Sequence, residues 1–152
     1  WFGASVSLSR DGSIIAIGAP RTSTVNGMAS GRCQIYAFNG TDWIQMGQNL
    51  DGFGSNHRFG VSSALAPSGT TVIIGTHLSD VNGPSSGQAH IYTYREPYGL
   101  WVRLGQALSG NTSDMFGWSV AISGDESRTA VGGIGNGDNG LRSGFVKAYQ
   151  LN

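Results

Sequence analysis

The side chains that most often carry chemistry are few in this sequence and stand far apart. Its three histidines are His57, His77 and His90, and its one cysteine is Cys33. Zinc is held by three or four converging ligands, and these histidines would have to converge by chance. Cys33 occupies an inward strand position, which favours a buried, inert thiol, whereas His90 occupies an outward position, which favours a solvated side chain. We therefore expect no metal site.

Acid–base and nucleophilic chemistry find equally little support. The only glutamates, Glu96 and Glu126, lie beside turn-forming residues, and no pair of carboxylates stands out as an acid with its partner base. The chain has no Gly-x-Ser-x-Gly elbow, no phosphate-binding P-loop and no His-Glu-x-x-His motif. We predict that the protein has no catalytic residue and no cofactor and is not an enzyme.

The composition favours a β-sheet protein rich in turns. The 152 residues include 25 glycines and only 12% charged residues, whereas average usage is about 7% glycine and about 25% charged residues. Hydrophobic residues make up 39%, which is enough for a packed core. The net charge is zero and Lys147 is the only lysine, which argues against binding to nucleic acid. The apolar runs are far shorter than the roughly 20 residues of a membrane-spanning helix, so we also expect no membrane insertion.

The elements that must position these residues recur along the chain. Three Phe-Gly pairs lie 57 residues apart: Phe2-Gly3, Phe59-Gly60 and Phe116-Gly117. Each pair is followed by a glycine that ends an apolar run, at Gly18, Gly75 and Gly132. A fixed period of this kind indicates a repeat fold. We expect one segment, residues 1–152, made of repeats 1–57, 58–114 and 115–152.

Each complete repeat predicts four short antiparallel strands. In the first repeat, residues 5–9 alternate apolar and small polar side chains, which is typical of a half-buried strand. Residues 14–17 are apolar throughout, as in a strand covered on both faces, and Asn39-Gly40 is a hairpin turn. The fourth strand begins at Trp43 in repeat 1 and at Trp101 in repeat 2, and we expect both indoles to pack between sheets. The last repeat lacks its fourth strand.

Such a unit cannot bury both faces of its sheet alone, so neighbouring copies must stack on it. Radial stacking of four-stranded sheets is the architecture of a β-propeller. We predict an all-β segment of about three four-stranded antiparallel blades, with a β-trefoil of three four-stranded units as the alternative. Because propellers have about four to eight blades, we expect further blades from the same or another chain as partners.

The Phe-Gly pairs belong to a longer motif that resembles the FG-GAP repeat. In the first copy, Phe2-Gly3-Ala4-Ser5-Val6 is followed by the turn Ser9-Arg10-Asp11-Gly12 and by Gly18-Ala19-Pro20. The resemblance implies blades like those of integrin α-chain propellers and of many microbial and algal surface proteins. Calcium-binding members carry an Asp-x-Asp-x-Asp-Gly-type loop. The nearest stretch here, residues 136–140, has one carboxylate, so we expect no metal there.

Six residues are predicted to contact a partner: Trp118, His77, Asp80, Asp138, Asn139 and Tyr98. Trp118 is bulky where the aligned residues, Ala4 and Val61, are small, so it can line a channel or a ligand surface. Tyr98 lies in an insertion within the last hairpin of the second repeat. The variable loops that carry the contacts in this prediction are residues 21–29, 77–86 and 135–142.

Asn39 and Asn111 each begin an Asn-x-Ser/Thr sequon in a predicted surface turn, which makes them candidates for glycosylation. Together with the resemblance and the neutral surface, they lead us to predict a non-enzymatic, extracellular or surface-associated protein, secreted and glycosylated. Its predicted role is adhesion or contact with protein or glycan partners. One alternative is a structural spacer in a larger fibre or complex. Another is a propeller hydrolase or lyase whose catalytic residues lie in further blades.

Overall fold

The computed structural model describes residues 1–151, which form three antiparallel sheets. Blade 1 consists of β1 (Ser5–Leu8), β2 (Ile14–Ala19), β3 (Arg32–Phe38), β4 (Trp43–Gln45) and β5 (Leu50–Asp51). Blade 2 consists of β6 (Ser62–Leu65), β7 (Thr71–Thr76), β8 (Gln88–Arg95), β9 (Leu100–Arg103) and β10 (Leu108–Ser109), with a 3-10 turn at Glu96–Tyr98. Blade 3 consists of β11 (Phe116–Ile122), β12 (Arg128–Gly133) and β13 (Phe145–Gln150).

Blades 1 and 2 are meanders whose outer strand is interrupted. In blade 1 the strand order is β1-β2-β3-β4, and β5 pairs with the other half of β3. The strands β4 and β5 are therefore two pieces of one fourth strand. The break lies at Gly47, whose φ of +78° is a conformation that glycine adopts without strain. Blade 2 repeats this arrangement, and blade 3 has three strands within the described residues.

The turn between the first two strands is closed by a serine–aspartate clasp. In blade 1, Asp11 Oδ1 accepts hydrogen bonds from the Ser9 hydroxyl (2.7 Å), the Ser13 amide (3.0 Å) and the Ser13 hydroxyl (2.8 Å). In blade 3 the Ser123 hydroxyl donates to Asp125 at 2.6 Å in the same way. The Ser-x-Asp pattern shared by these two turns thus makes its own turn, because a short polar side chain can bond the backbone two residues on.

The blades stack face to face, and the Phe-Gly pairs of blades 2 and 3 each pack on the preceding blade. Phe59 and Phe116 are fully buried, and each forms a parallel bridge to the preceding blade, at Gly31 and Gly87 respectively. One apolar cluster fills the space between blades 1 and 2, and a second fills the space between blades 2 and 3. This is the predicted propeller-type arrangement, and the trefoil alternative is set aside because the sheets stack as separate blades.

Glycines allow two blades to approach closely at their inner strands. The Ser62 hydroxyl donates to the Gly117 carbonyl of the next blade at 2.8 Å. A β-carbon at Gly75 would overlap that same carbonyl oxygen. Ser5, Gly18 and Gly60 repeat this contact between blades 1 and 2.

Stacking leaves one face of blade 1 uncovered, and this corrects one expectation. Trp101 is buried between blades, with 3% of its surface exposed, but Trp43 is 45% exposed. Both were expected to pack between sheets. Trp43 lies on the outer face of blade 1, which no other described residue covers. With Phe2, Ile15, Ile17 and Tyr36 it lines an apolar hollow of about 330 Å³. We call this surface the open face of blade 1.

The strand positions of Cys33 and His90 predict a buried thiol and a solvated imidazole, and only the first prediction is confirmed. Cys33 is fully buried, and burial raises the pKa of its thiol to about 12, as expected for an inert cysteine. His90 is also buried, with 2% of its surface exposed, so the expectation of a solvated histidine is wrong. The rings of Phe53 and Phe59 lie 4.9 and 5.6 Å from the His90 ring and cover it. The described residues include no helix long and apolar enough to cross a membrane.

Candidate binding site at the loop end of the blades

The long loops of the three blades lie at one end of the structure, which we call the loop end. They comprise residues 20–31, 77–87 and 134–144, and each connects the second strand of a blade to the third. The segments that connect one blade to the next also lie at this end. In blades 1 and 2 an asparagine of the long loop forms a hydrogen bond with the connecting segment: Asn26 donates to the Gly52 carbonyl (2.8 Å) and Asn82 to the Gly110 carbonyl (3.0 Å). The tight turns lie at the opposite, turn end. The loop end therefore offers variable side chains on an ordered frame.

Trp118 stands at the start of β11, on a bulge at the loop end. The register between β11 and β12 shifts between Phe116 and Ser119, and Gly117 has a φ of +88°. A bulge of this kind redirects side chains from the ordinary alternation of a strand. The Trp118 side chain is 44% exposed, so one part of its ring packs on the protein while the rest meets solvent.

His77 supports Trp118 from the preceding blade. It directly follows β7, and its ring lies edge-on to the Trp118 ring, with a centroid distance of 4.9 Å and an interplanar angle of 85°. Burial, together with a smaller contribution from the charge of Arg58, lowers the pKa of His77 to about 4. The imidazole is therefore neutral at pH 7. The structure brings together two residues, Trp118 and His77, that the sequence proposed separately.

Arg58 is the member of this site that the sequence did not suggest. Its backbone adopts a φ of +60°, and its buried Nε has no hydrogen-bond partner within the described residues. The residues before the other two Phe-Gly pairs are Trp1 and Met115, so the repeat offers no signal at this position. Only the fold shows that the guanidinium lies close enough to affect His77.

The loop residues Asp80 and Asp138 are exposed at the same end but are engaged within their own loops. Asp80 Oδ1 accepts the Ser85 amide at 2.7 Å. Asp138 accepts the Asn136 side-chain amide at 3.2 Å, and that amide also donates to Asp114 at 2.9 Å. Asn139, next in the loop, is exposed. Residues 1–151 hold no group of three potential metal ligands.

Tyr98 does not join this set. It lies in the 3-10 turn between β8 and β9, at the turn end, and is largely exposed. The predicted binding residues therefore divide between two ends of the structure, with Trp118, His77, Asp80, Asp138 and Asn139 at the loop end.

Both sequon asparagines are exposed. Asn39 lies in the hairpin turn between β3 and β4, where its Oδ1 accepts the amides of Thr41 (2.9 Å) and Asp42 (2.8 Å). Asn111 lies at the loop end, in the connection from blade 2 to blade 3. A glycan on Asn111 would therefore stand beside the candidate site.

The comparisons with known proteins agree with this architecture. The FG-GAP repeat family matches residues 106–149, which include the Phe116-Gly117 pair. No curated protein matches the chain. Among solved structures, the periplasmic gluconolactonase PpgL of Pseudomonas aeruginosa is similar, with a TM-score of 0.58 and 15% sequence identity. The match covers 88% of this chain and 37% of that one, so the chain spans little more than a third of the length of PpgL. The likeness at this identity is one of fold, and with the matched FG-GAP repeat it makes this chain a propeller-type repeat protein.

Proposed function

We propose that this chain is part of a non-enzymatic, extracellular or surface-associated propeller that mediates adhesion through protein or glycan contacts. The observation that carries the proposal is Trp118, a half-exposed indole braced edge-on by the buried ring of His77. It replaces the small residues Ala4 and Val61 of the other two repeats.

The chemistry of this pair suits a sugar ring or an apolar side chain. An indole offers a large apolar face with one hydrogen-bond donor, and tryptophan is enriched among the residues that dominate binding energy. Because the bulge and His77 hold the ring, little side-chain freedom is lost when a partner binds. The neutral imidazole also adds no charge that a partner would have to desolvate.

Two observations support the proposed extracellular location: the match to the FG-GAP repeat family and the exposure of both sequon asparagines. FG-GAP repeats are typical of extracellular proteins, and residues 106–149 match that family. Asn39 and Asn111 are exposed, as glycosylation requires. We propose secretion on these grounds.

Two tryptophans of nearly equal exposure provide a matched test. The 152-residue chain is titrated against panels of immobilised glycans and of cell-surface proteins, alongside its Trp118→Ala and Trp43→Ala variants. We expect Trp118→Ala to abolish binding and Trp43→Ala, on the open face of blade 1, to preserve it. Failure of the parent chain to bind any panel member at micromolar concentration would contradict the proposal, as would binding that survives Trp118→Ala.

A structural spacer is the second candidate, and the open face of blade 1 favours it. The residues of this face occupy the same repeat positions as the residues of blade 2 that pack on blade 1. They are Phe2, Ile15, Ile17 and Tyr36, which correspond to Phe59, Val72, Ile74 and Tyr92. Uncovered apolar surface of this kind marks an interaction site, and a further blade, from the same or another chain, has the matching shape. Binding that is lost in Trp43→Ala and kept in Trp118→Ala would favour this role over adhesion at the loop end.

The absence of enzymatic activity is part of the proposal and is tested on the reaction for which PpgL is named. The chain is incubated with gluconolactone, and we expect hydrolysis at the rate of a buffer blank. Turnover above that rate, lost in His77→Gln, would contradict the proposal.

A further inference from the structure

The backbone holds Arg58 next to the pair formed by His77 and Trp118. The Arg58 amide donates to the Ala29 carbonyl in the long loop of blade 1 at 3.2 Å. The residue before Arg58 is fixed as well, because the His57 carbonyl accepts the hydroxyl of Thr76 at 2.6 Å. Thr76 directly precedes His77 in the chain. Arg58 is therefore one residue away from a hydrogen bond to the strand that carries His77.

The positive charge of Arg58 has no counterion within residues 1–151. The one salt bridge among them joins Arg32 to Asp51. The Nε of Arg58 is buried without a hydrogen-bond partner. Burial, followed by the charge of Arg58, lowers the pKa of His77, and no carboxylate opposes the two effects. A half-buried cation without an anion is costly, so the surroundings of Arg58 favour a negatively charged ligand.

His77 lies beside both the charge and the indole. Its ring is 5% exposed, and its Nδ1 is buried without a partner in the described part of the chain. Its centroid lies 4.9 Å from that of Trp118, which is 44% exposed. We call Arg58, His77 and Trp118 the loop-end cluster. It combines an accessible apolar ring with a cation that lacks a counterion.

A sugar acid carries the two complementary features on one small ring. The C–H face of a pyranose is apolar and packs on an aromatic face such as that of Trp118. The carboxylate of a uronic acid is attached directly to that ring. The planar guanidinium of an arginine donates two parallel hydrogen bonds to a carboxylate, which fixes the direction of the group as well as its charge.

The charges elsewhere at the loop end favour a sugar acid over an acidic peptide. Asp80 and Asp138 are both exposed there. They would repel a run of carboxylates laid across the loops. The hydroxyls of a sugar, in contrast, are donors that aspartate oxygens accept. A ligand with one carboxylate and several hydroxyls therefore fits this end better than a polyanion.

We propose that the loop-end cluster binds a sugar acid, with the pyranose ring on Trp118 and the carboxylate on the Arg58 guanidinium. His77 is a positioning residue that supports the indole. This inference rests on the proposed function, because it names the ligand class of the same site.

Matched glycosides test the charge. The 152-residue chain is titrated with methyl glucuronoside, methyl glucoside, and methyl glucoside sulfated at its primary hydroxyl, and the indole N–H resonance of Trp118 is followed by NMR. We expect the glucuronoside to bind about tenfold more tightly than the glucoside, as for a charged hydrogen bond at a half-exposed site. Equal affinities of these two would overturn the proposal. Tightest binding of the sulfated sugar would overturn the carboxylate.

Variants of the chain locate the carboxylate. Arg58→Gln should reduce the affinity for the glucuronoside to that for the glucoside and leave the glucoside unaffected. Arg58→Lys keeps the charge without the planar fork and should have an intermediate effect. Arg128→Gln removes an exposed arginine at the turn end and is the control, with unchanged affinity expected. Thermal melts verify that each variant is folded. Full glucuronoside affinity in Arg58→Gln, or an equal loss in Arg128→Gln, would refute the assignment.

The outcomes separate this inference from the adhesion proposal. If both glycosides bind equally and both lose binding in Trp118→Ala, the sugar acid is wrong and the adhesion site stands. If neither glycoside binds, the sugar acid is wrong, and the panels of glycans and proteins decide adhesion on their own. A triglutamate peptide is the last competitor. Tighter binding of this peptide than of the glucuronoside, lost in Arg58→Gln, would show a peptide site and overturn the proposal.

Discussion

The indole nitrogen of Trp101 in blade 2 lies 2.7 Å from the carbonyl oxygen of Met46 in blade 1, and this hydrogen bond joins the outer edges of two neighbouring blades. Met46 lies at the break in the outer strand of blade 1, where the positive φ of Gly47 turns the chain. This hydrogen bond holds the outer strands of blades 1 and 2 together. The close glycine contacts, by contrast, lie between the inner strands.

Truncation of the two equivalent tryptophans should have unequal effects on stability. Trp101→Ala removes a buried ring and leaves the Met46 carbonyl unpaired, so we expect a loss of about 3–5 kcal/mol in the free energy of unfolding. Trp43→Ala should cost about 1 kcal/mol or less, because that ring is already half in solvent. Urea unfolding measures both. Similar losses for the two variants would show that the open face of blade 1 is not open in solution.

A glycine-to-alanine substitution in an inner strand should reduce stability more where a neighbouring blade covers the glycine than where none does. Gly75→Ala places a β-carbon on the Gly117 carbonyl of blade 3, and we expect a loss of about 1–3 kcal/mol from overpacking. At Gly132, the same position of blade 3, the nearest atom is the Ser119 hydroxyl, which can rotate away. Gly132→Ala is therefore the control and should cost clearly less. Equal unfolding midpoints for the two variants would contradict the described stacking.

Stability should fall as the pH is lowered from about 6.5 to about 4, because two buried histidines resist protonation. Burial lowers the pKa of His90 to about 4, and the nearby charge of Arg103 contributes to the shift. His77 behaves in the same way. In this window the unfolded chain binds more protons than the folded one, so the free energy of unfolding decreases with falling pH, by up to about 3 kcal/mol per imidazole.

His90→Leu isolates one of these contributions. The leucine fills the space between Phe53 and Phe59 without unpaired ring nitrogens, so stability at pH 7 should stay equal or rise. The decrease between pH 6.5 and pH 4 should shrink by about half, as measured by urea unfolding at a series of pH values. A variant whose pH dependence matched that of the parent chain would show that His90 is solvated after all.

The turn clasp should be visible in the titration of its aspartate. The Ser13 amide, followed by the Ser9 and Ser13 hydroxyls, lowers the pKa of Asp11 to about 2. The stabilisation by this carboxylate is therefore present above about pH 4 and disappears as the pH falls through 2. Ser9→Ala should raise the Asp11 pKa only part of the way to 3.8, because the Ser13 amide bond remains. Carboxyl chemical shifts follow the titration, with Asp125 as the unaltered reference, and an unchanged Asp11 midpoint would argue against the clasp.

The local patterns of the sequence predict most of the fold. The repeated strand pattern, the Ser9-Arg10-Asp11-Gly12 turn and the Asn39-Gly40 hairpin depend on neighbouring residues, and the structure has strands and turns where these patterns place them. The buried Cys33 was also predictable, because its position between polar strand neighbours points inward. Repetition made the prediction of the strands stronger, since the Phe-Gly pair and the glycine that ends the apolar run occur three times.

Which face of a strand is covered could not be predicted in the same way. The alternation of β1 is real, but the polar side chains face the next blade: the Ser5 and Ser63 hydroxyls lie 2.9 Å apart, and the Leu65 amide donates to Ser7 at 2.9 Å. The apolar residue between them, Val6, is left exposed.

For the candidate site, the sequence by itself singled out Trp118 as a bulky exception in the repeat and His77 as a loop residue. It could not show that their rings meet, or that Arg58 lies near them, because these residues belong to different strands and blades. The same reason explains the burial of His90 and the contrast between Trp101 and Trp43. The sequence alone determined the repeat, its strands and its turns, since these depend on interactions between neighbours along the chain. Only the tertiary structure decided which surfaces are covered, because burial depends on what the adjacent blade places there.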